Sequence, residues 1–265
     1  MKLTELFLSV LILLTSLASN VRGETIIIDA VPAYNWYQGC GPTAAASILG
    51  YYDLHGYDSL FNASGWDLVK LTSNVQDEIS GPEHNAKYAS HLGNASLARP
   101  PDTSIADFFR TSEGLPYGWS SQYYADDAFT GYASYRGYSD WDAWYEGFNS
   151  FSWDKFTTEI ENGNPMMFLI DTDGNGGTDH FVPVIGYNDV TYEYAFFTTW
   201  SEDETIQFKP FQGMGNAWGI GYATYIKPGA PDPVSEPTTI LLLGAGLVGL
   251  AGFGRKKFKK NQTGR

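Results

Sequence analysis

The sequence predicts an α+β domain, on three observations. Small helix formers gather early, in Pro42-Thr43-Ala44-Ala45-Ala46-Ser47-Ile48-Leu49, with the proline where a first helical turn tolerates one. A second helix, Trp153 to Glu161, is closed by Asn162-Gly163-Asn164-Pro165, a strong stop. Beyond it, short apolar and aromatic runs alternate with turn signals, the pattern of a sheet.

In chain order, Thr25 to Ala30 reads as a short strand, Val31 to Gly39 as an aromatic loop and Pro42 to Tyr52 as a buried helix. Tyr57 to Arg110 mixes loops with short helices. Tyr117 to Phe156 is dense in aromatic residues, either a small lobe built on ring packing or a wall that binds carbohydrate or peptide. Met166–Ile170, His180–Tyr187, Tyr194–Thr199, Thr205–Pro210 and Gly219–Ile226 then form a C-terminal antiparallel sheet.

Both ends read as export signals. Residues 1–23 have a positive start at Lys2, an apolar stretch from Leu6 to Leu14 and a small-residue cleavage site at Val21-Arg22-Gly23. The domain is expected over 24–227, and a proline-rich linker over 228–237. The tail, 238–265, joins an apolar run, Ile240 to Phe253, to a basic end, Arg255 to Lys260. That order suits transient membrane insertion with the basic end cytoplasmic. The apolar run is short for a permanent span, which needs ~20 residues. The tail resembles the PEP-CTERM sorting signal, with Ser235-Glu236-Pro237 replacing its Pro-Glu-Pro-like start. The resemblance implies exosortase-type sorting machinery as a partner, membrane tethering, then release to the cell surface or extracellular matrix.

Between Glu24 and Pro237 lie 214 residues, enough for one domain with a real core. Eight basic residues face 29 acidic ones there, a net charge of about −21. Such a surface excludes nucleic acid as a partner, since binding requires a basic stripe.

The single cysteine, Cys40, rules out an intrachain disulfide and points to intermolecular pairing or a reactive thiol. It stands at the head of the first helix, where the dipole and free N–H groups favour thiolate. Gly39 and Gly41 let the backbone approach a substrate closely. A catalytic thiol needs a base, and His180, 140 residues later at the head of an apolar strand, is the best candidate. That interval matches the papain-like order, with histidine ~130–150 residues after cysteine.

Gly39-Cys40-Gly41-Pro42-Thr43, with Tyr51-Tyr52-Asp53 ending the helix, resembles the C39-like branch of papain-fold peptidases. Asn162-Gly163-Asn164-Pro165 leading to Asp179-His180-Phe181-Val182 and Gly186-Tyr187 is similar to that branch's second motif. The resemblance spans Val31 to Trp200 and implies a papain-like fold, an N-terminal helical lobe whose cysteine-bearing helix packs on the C-terminal antiparallel sheet. In the family the third residue is Asn or Asp shortly before a tryptophan; Thr198 stands there, its hydroxyl expected to accept a hydrogen bond from His180. Gln38 and the Cys40 N–H are the expected oxyanion donors.

Asp171, Asp173, Asn175 and Asp179 fall at positions 1, 3, 5 and 9 of a calcium-loop pattern, with Gly176 at 6 and Val182 where a bidentate glutamate would close it. The other reading is a hairpin turn, with Gly and Asn supplying positive φ. Calcium is thus a candidate ligand, and no cofactor is required. His55, His84 and His91 fit surface or packing roles better than zinc. The expected function is an exported, surface-sorted cysteine peptidase acting on peptide or protein. Two alternatives stand beside it: a catalytically silent papain-fold binding module, and a cell-wall amidase using the same thiol.

Overall fold

The protein's structure, a computed structural model, describes residues 23–88, 96–201 and 205–231. The leader expected over 1–23 (save Gly23), most of the linker, the tail and His91 lie outside the described residues. Among the described residues no helix is long and apolar enough to cross a membrane.

One sheet organises the domain. Its strands are β1 (Thr25–Ile27), β2 (Asp142–Gly147), β3 (Met166–Asp171), β4 (His180–Asn188), β5 (Glu193–Phe196), β6 (Gln207–Pro210) and β7 (Gly219–Lys227). Their order is β2-β7-β3-β4-β5-β6, with β1 pairing on β4, and every pairing between these strands is antiparallel. β3 holds the first half of β4 (Met166 opposite Val184, Ile170 opposite His180), and β1 holds the second (Ile27 opposite Gly186). A Cβ at Gly186 would lie 2.2 Å from the Ile26 carbonyl, so only glycine permits that pairing.

The five strands expected at the C-terminal end are present. The run expected to end at Thr199 stops at Phe196, because Thr199 takes φ 59°, outside the extended region. β2 was not expected. It lies inside the aromatic segment, pairs among the described residues only with β7, as an edge strand, and lacks a clean apolar alternation.

All six residues of β3 are buried. Met167 and Leu169 face one core, with Ala44, Ala45, Ile48 and Leu49 of the first helix, α1 (Cys40–Asp53). Met166, Phe168 and Ile170 face the other, with Phe156 and Ile160 of α6 (Trp153–Glu161). A strand covered on both faces reads as an unbroken apolar run, which is why MMFLI shows no period of two. Burying a ring such as Phe156 or Phe168 stabilises the fold by about 3 kcal/mol.

Thirteen of the 14 residues of α1 are buried. Its alanines keep the helix slim enough to lie between the sheet and the short helices α2 (Ser73–Ile79), α3 (Pro82–Tyr88), α4 (Ile105–Phe108) and α5 (Ala125–Tyr135). Thr43 Oγ1 donates to the Gly39 carbonyl (2.7 Å) and accepts from the Tyr37 N–H (3.0 Å), fixing how the chain enters the helix. The aromatic segment divides: Phe129 and Tyr132 of α5 enter the core, while Tyr117 to Tyr123 line the cleft described below.

Glu78 and Asp53 are among the polar groups buried inside this helical side. Glu78 accepts hydrogen bonds from Arg136 (3.1 Å), the Tyr132 hydroxyl (2.8 Å), and both the main chain and the amide of Asn62. Asp53, at the end of α1, accepts the Phe61 N–H at 2.9 Å. Burial above all pushes its carboxyl up to about 7, against the Phe61 bond that favours the charge. Between the ordinary carboxylate range and pH 7 the folded state therefore binds more protons than the unfolded chain, and stability falls as pH rises through that window. Asp53→Asn keeps an oxygen for Phe61 and removes the buried charge. Its melting curve is expected to show a gain of about 2 kcal/mol over the parent at pH 8, shrinking towards zero near pH 4.

Candidate active site

Cys40 is the first residue of α1 and is 9% exposed. The glycines beside it do not serve conformation alone. A Cβ at Gly41 would lie 2.8 Å from Ser120 Oγ, and one at Gly39 would lie 2.9 Å from the Gly118 carbonyl. Glycine at both positions lets the Gly118 backbone and the Ser120 side chain close against the thiol's flanks. The sulfur lies against the main-chain N–H groups of Phe181, Gly41 and Cys40 itself. Burial pushes the thiol above its usual range; those three N–H groups oppose it, and the charge of Asp179 adds to the rise.

His180 opens β4 and is 6% exposed, with the Phe181 N–H that meets the sulfur on the next residue. Its Nε2 lies 2.7 Å from the Thr198 carbonyl, and a carbonyl can only accept. Nε2 therefore carries the proton in the neutral ring, leaving the lone pair, and the basicity, on Nδ1. Burial holds the imidazole below its usual range, against the Thr198 bond and the charge of Asp179. Burial thus works against the charged form of both side chains, and among the described residues no hydrogen bond joins them. The Trp200 ring covers the imidazole at 4.7 Å between centroids.

Two expected roles need correction. The Thr198 hydroxyl does not meet the ring; it accepts the Trp200 N–H at 3.2 Å, and the residue's main-chain carbonyl takes the imidazole instead. The left-handed turn at Thr199 swings that carbonyl inward. Gln38 does not line the cleft. It also has a left-handed φ, of 59°, and its side-chain carbonyl accepts the Tyr117 hydroxyl at 2.5 Å.

Cys40 and His180 open on one cleft of about 390 Å³. Trp36, Tyr117, Trp119, Tyr123, Leu169 and Tyr222 are among its lining residues, and Ser120, Ser121 and Gln122 supply polar groups. Trp36 packs edge-on against Tyr117 (5.9 Å) at the wall and leaves the cleft open. Ser120–Gln122 carry no signal in the sequence, since isolated polar residues among aromatics form no pattern. Thr199 was missed because a threonine beside an expected site residue looks like an ordinary strand residue.

The acidic glycine segment is the hairpin between β3 and β4. Asp171 accepts four main-chain N–H groups, from Gly174 (2.8 Å), Asn175 (3.1 Å), Gly176 (2.8 Å) and Gly215 (2.8 Å). Asp173 and Asn175 accept from the next residues of the turn, and Asp179 accepts from both the main chain and the hydroxyl of Thr172. Among the described residues no cluster of three or more His, Cys, Asp or Glu side chains could hold a metal ion. The oxygens of Asp171, Asp173, Asn175 and Asp179, where the sequence suggests a calcium loop, accept from N–H groups and a hydroxyl of the chain itself. The hairpin fixes Asp179 and His180 at the cleft. His84 pairs with Asp107 at 2.8 Å inside the helical side, and His55 meets the Tyr51 carbonyl at 2.6 Å.

A thiol at the head of a buried helix, beside an antiparallel sheet that carries a histidine, defines a cysteine-peptidase-like domain. The chain belongs to the Peptidase_C39-like family, which residues 28–220 match, and residues 233–256 match the PEP-CTERM protein-sorting motif, a signal of export and sorting. No curated protein matches the chain. Among solved structures it is similar to a C39-like peptidase from Bacillus anthracis (14% identity, 78% of this chain and 100% of that one, TM-score 0.43). It is also similar to the interpain A cysteine protease of Prevotella intermedia (12%, 76% and 94%, 0.41) and to xylellain, a cysteine protease from Xylella fastidiosa (10%, 78% and 86%, 0.38).

Proposed function

We propose that this protein is an exported cysteine peptidase that cleaves peptide bonds with Cys40 and His180. The observation that carries the reading is the shared cleft: a thiol set among helix-head N–H groups opens on the same space as an imidazole whose Nε2 is tied back. His180 Nδ1 takes the thiol proton as sulfur attacks the substrate carbonyl. The carbonyl oxygen becomes an oxyanion, stabilised by main-chain N–H groups at the head of α1. The imidazolium then protonates the leaving amine, and water releases the acyl group by the same steps. The tail suits exosortase-type processing, with transient membrane insertion before release to the surface or matrix.

The uncharged partner of His180, and the absence among the described residues of a hydrogen bond from its ring to Cys40, also favour a second reading, a binding module that holds peptide without turnover. Fluorescently labelled, denatured casein separates the two. Hydrolysis lost in Cys40→Ala supports the peptidase, whereas binding without hydrolysis in the parent supports the module.

A further inference from the structure

We propose that Thr199 is a positioning residue for His180, an inference that rests on the Cys40–His180 reading. Its Oγ1 lies 3.3 Å from His180 Nε2, beside the Thr198 carbonyl at 2.7 Å, so the ring N–H has two acceptors on one side. Thr199 is fully buried, at 0% exposure, and holds φ at 59°, a conformation that a β-branched residue rarely adopts. Such a conformation persists only where the surroundings impose it. Here the Trp200 N–H bonded to Thr198 Oγ1 and the Trp200 ring over His180 hold the turn from its far side. One residue thereby does two things: its backbone aims the Thr198 carbonyl at the ring, and its hydroxyl adds the second acceptor. Together they stand where the family resemblance calls for the side chain of Asn or Asp. When His180 takes the thiol proton, its Nε2–H becomes a stronger donor, and both acceptors stabilise the imidazolium.

The test compares Thr199→Val, which keeps the shape and loses the hydroxyl, with Thr199→Ser, which keeps the hydroxyl. Two readouts are taken on the full domain: iodoacetamide labelling of Cys40 at pH 7, and NMR titration of the His180 ring. The valine variant is expected to label about tenfold more slowly and to titrate about one pH unit lower, the loss of one hydrogen bond to the charged ring. The serine variant is expected to match the parent in both. If valine misfolds, Thr199→Ala makes the same comparison without the β-branch. Parent-like labelling and titration in the variants that lack the hydroxyl would overturn the proposal. The parent reading fails separately, if His180→Ala labels like the parent.

Discussion

Cys40→Ala is expected to abolish casein hydrolysis, by a factor on the order of 10⁴ or more, without measurable loss of stability. Alanine removes one sulfur and keeps the helix former, so α1 and its packing remain. His180→Ala is expected to fall nearly as far, because a thiol raised by burial cannot attack without a base. The double variant is expected to lose no more than Cys40→Ala alone, since residues that act as one unit are non-additive. Hydrolysis assays on the three variants, with circular dichroism to confirm folding, check this. Residual turnover in Cys40→Ala above a tenth of the parent rate would place the chemistry elsewhere.

Glu78→Ala is expected to cost about 3–5 kcal/mol, the largest single loss of stability in the helical side. Glu78 is 5% exposed and accepts from Arg136, Tyr132 and Asn62 at once. Removing it leaves a guanidinium, itself 13% exposed, without its salt-bridge partner. In a domain of this size that corresponds to a fall in Tm of roughly 6–20 °C. Replacing both Glu78 and Arg136 by apolar residues of similar volume is expected to cost less than Glu78→Ala, since no buried charge is left unpaired. Thermal melts of the single and double variants decide it; a single-variant loss under 1 kcal/mol would mean that the network contributes nothing beyond its exposed neighbours.

The sheet was legible because its strands carry strong local signals: a continuous apolar run in β3, a glycine-rich turn before β4, and an antiparallel pattern to the chain's last described strand. The helix at Cys40 was legible from composition alone, and began two residues earlier than expected because Gly39 and Gly41 let Cys40 enter it. What could not be read is non-local. β2 is a strand because β7 offers it an edge. Glu78 and Arg136 lie far apart in the chain, with nothing local to pair them. At the site, cysteine and histidine were visible through their spacing and through motifs that resemble a family. The ring's partner was not, because it is a main-chain carbonyl aimed by a left-handed threonine, and neither property is written in residue type. The aspartates of the hairpin are ambiguous for a related reason: oxygens spaced for calcium serve equally well to cap a turn's N–H groups.

The most direct measurement is the rate of Cys40 alkylation by iodoacetamide against pH, in the parent and in His180→Ala. With a working pair, the parent is expected to label readily at pH 6–7, through proton transfer to a neutral His180. The variant is expected to label only in alkaline solution, above the ordinary thiol range of about 8.5. Identical alkaline profiles for both proteins would contradict the peptidase reading, and would make Cys40 a buried thiol in a fold that binds without cutting.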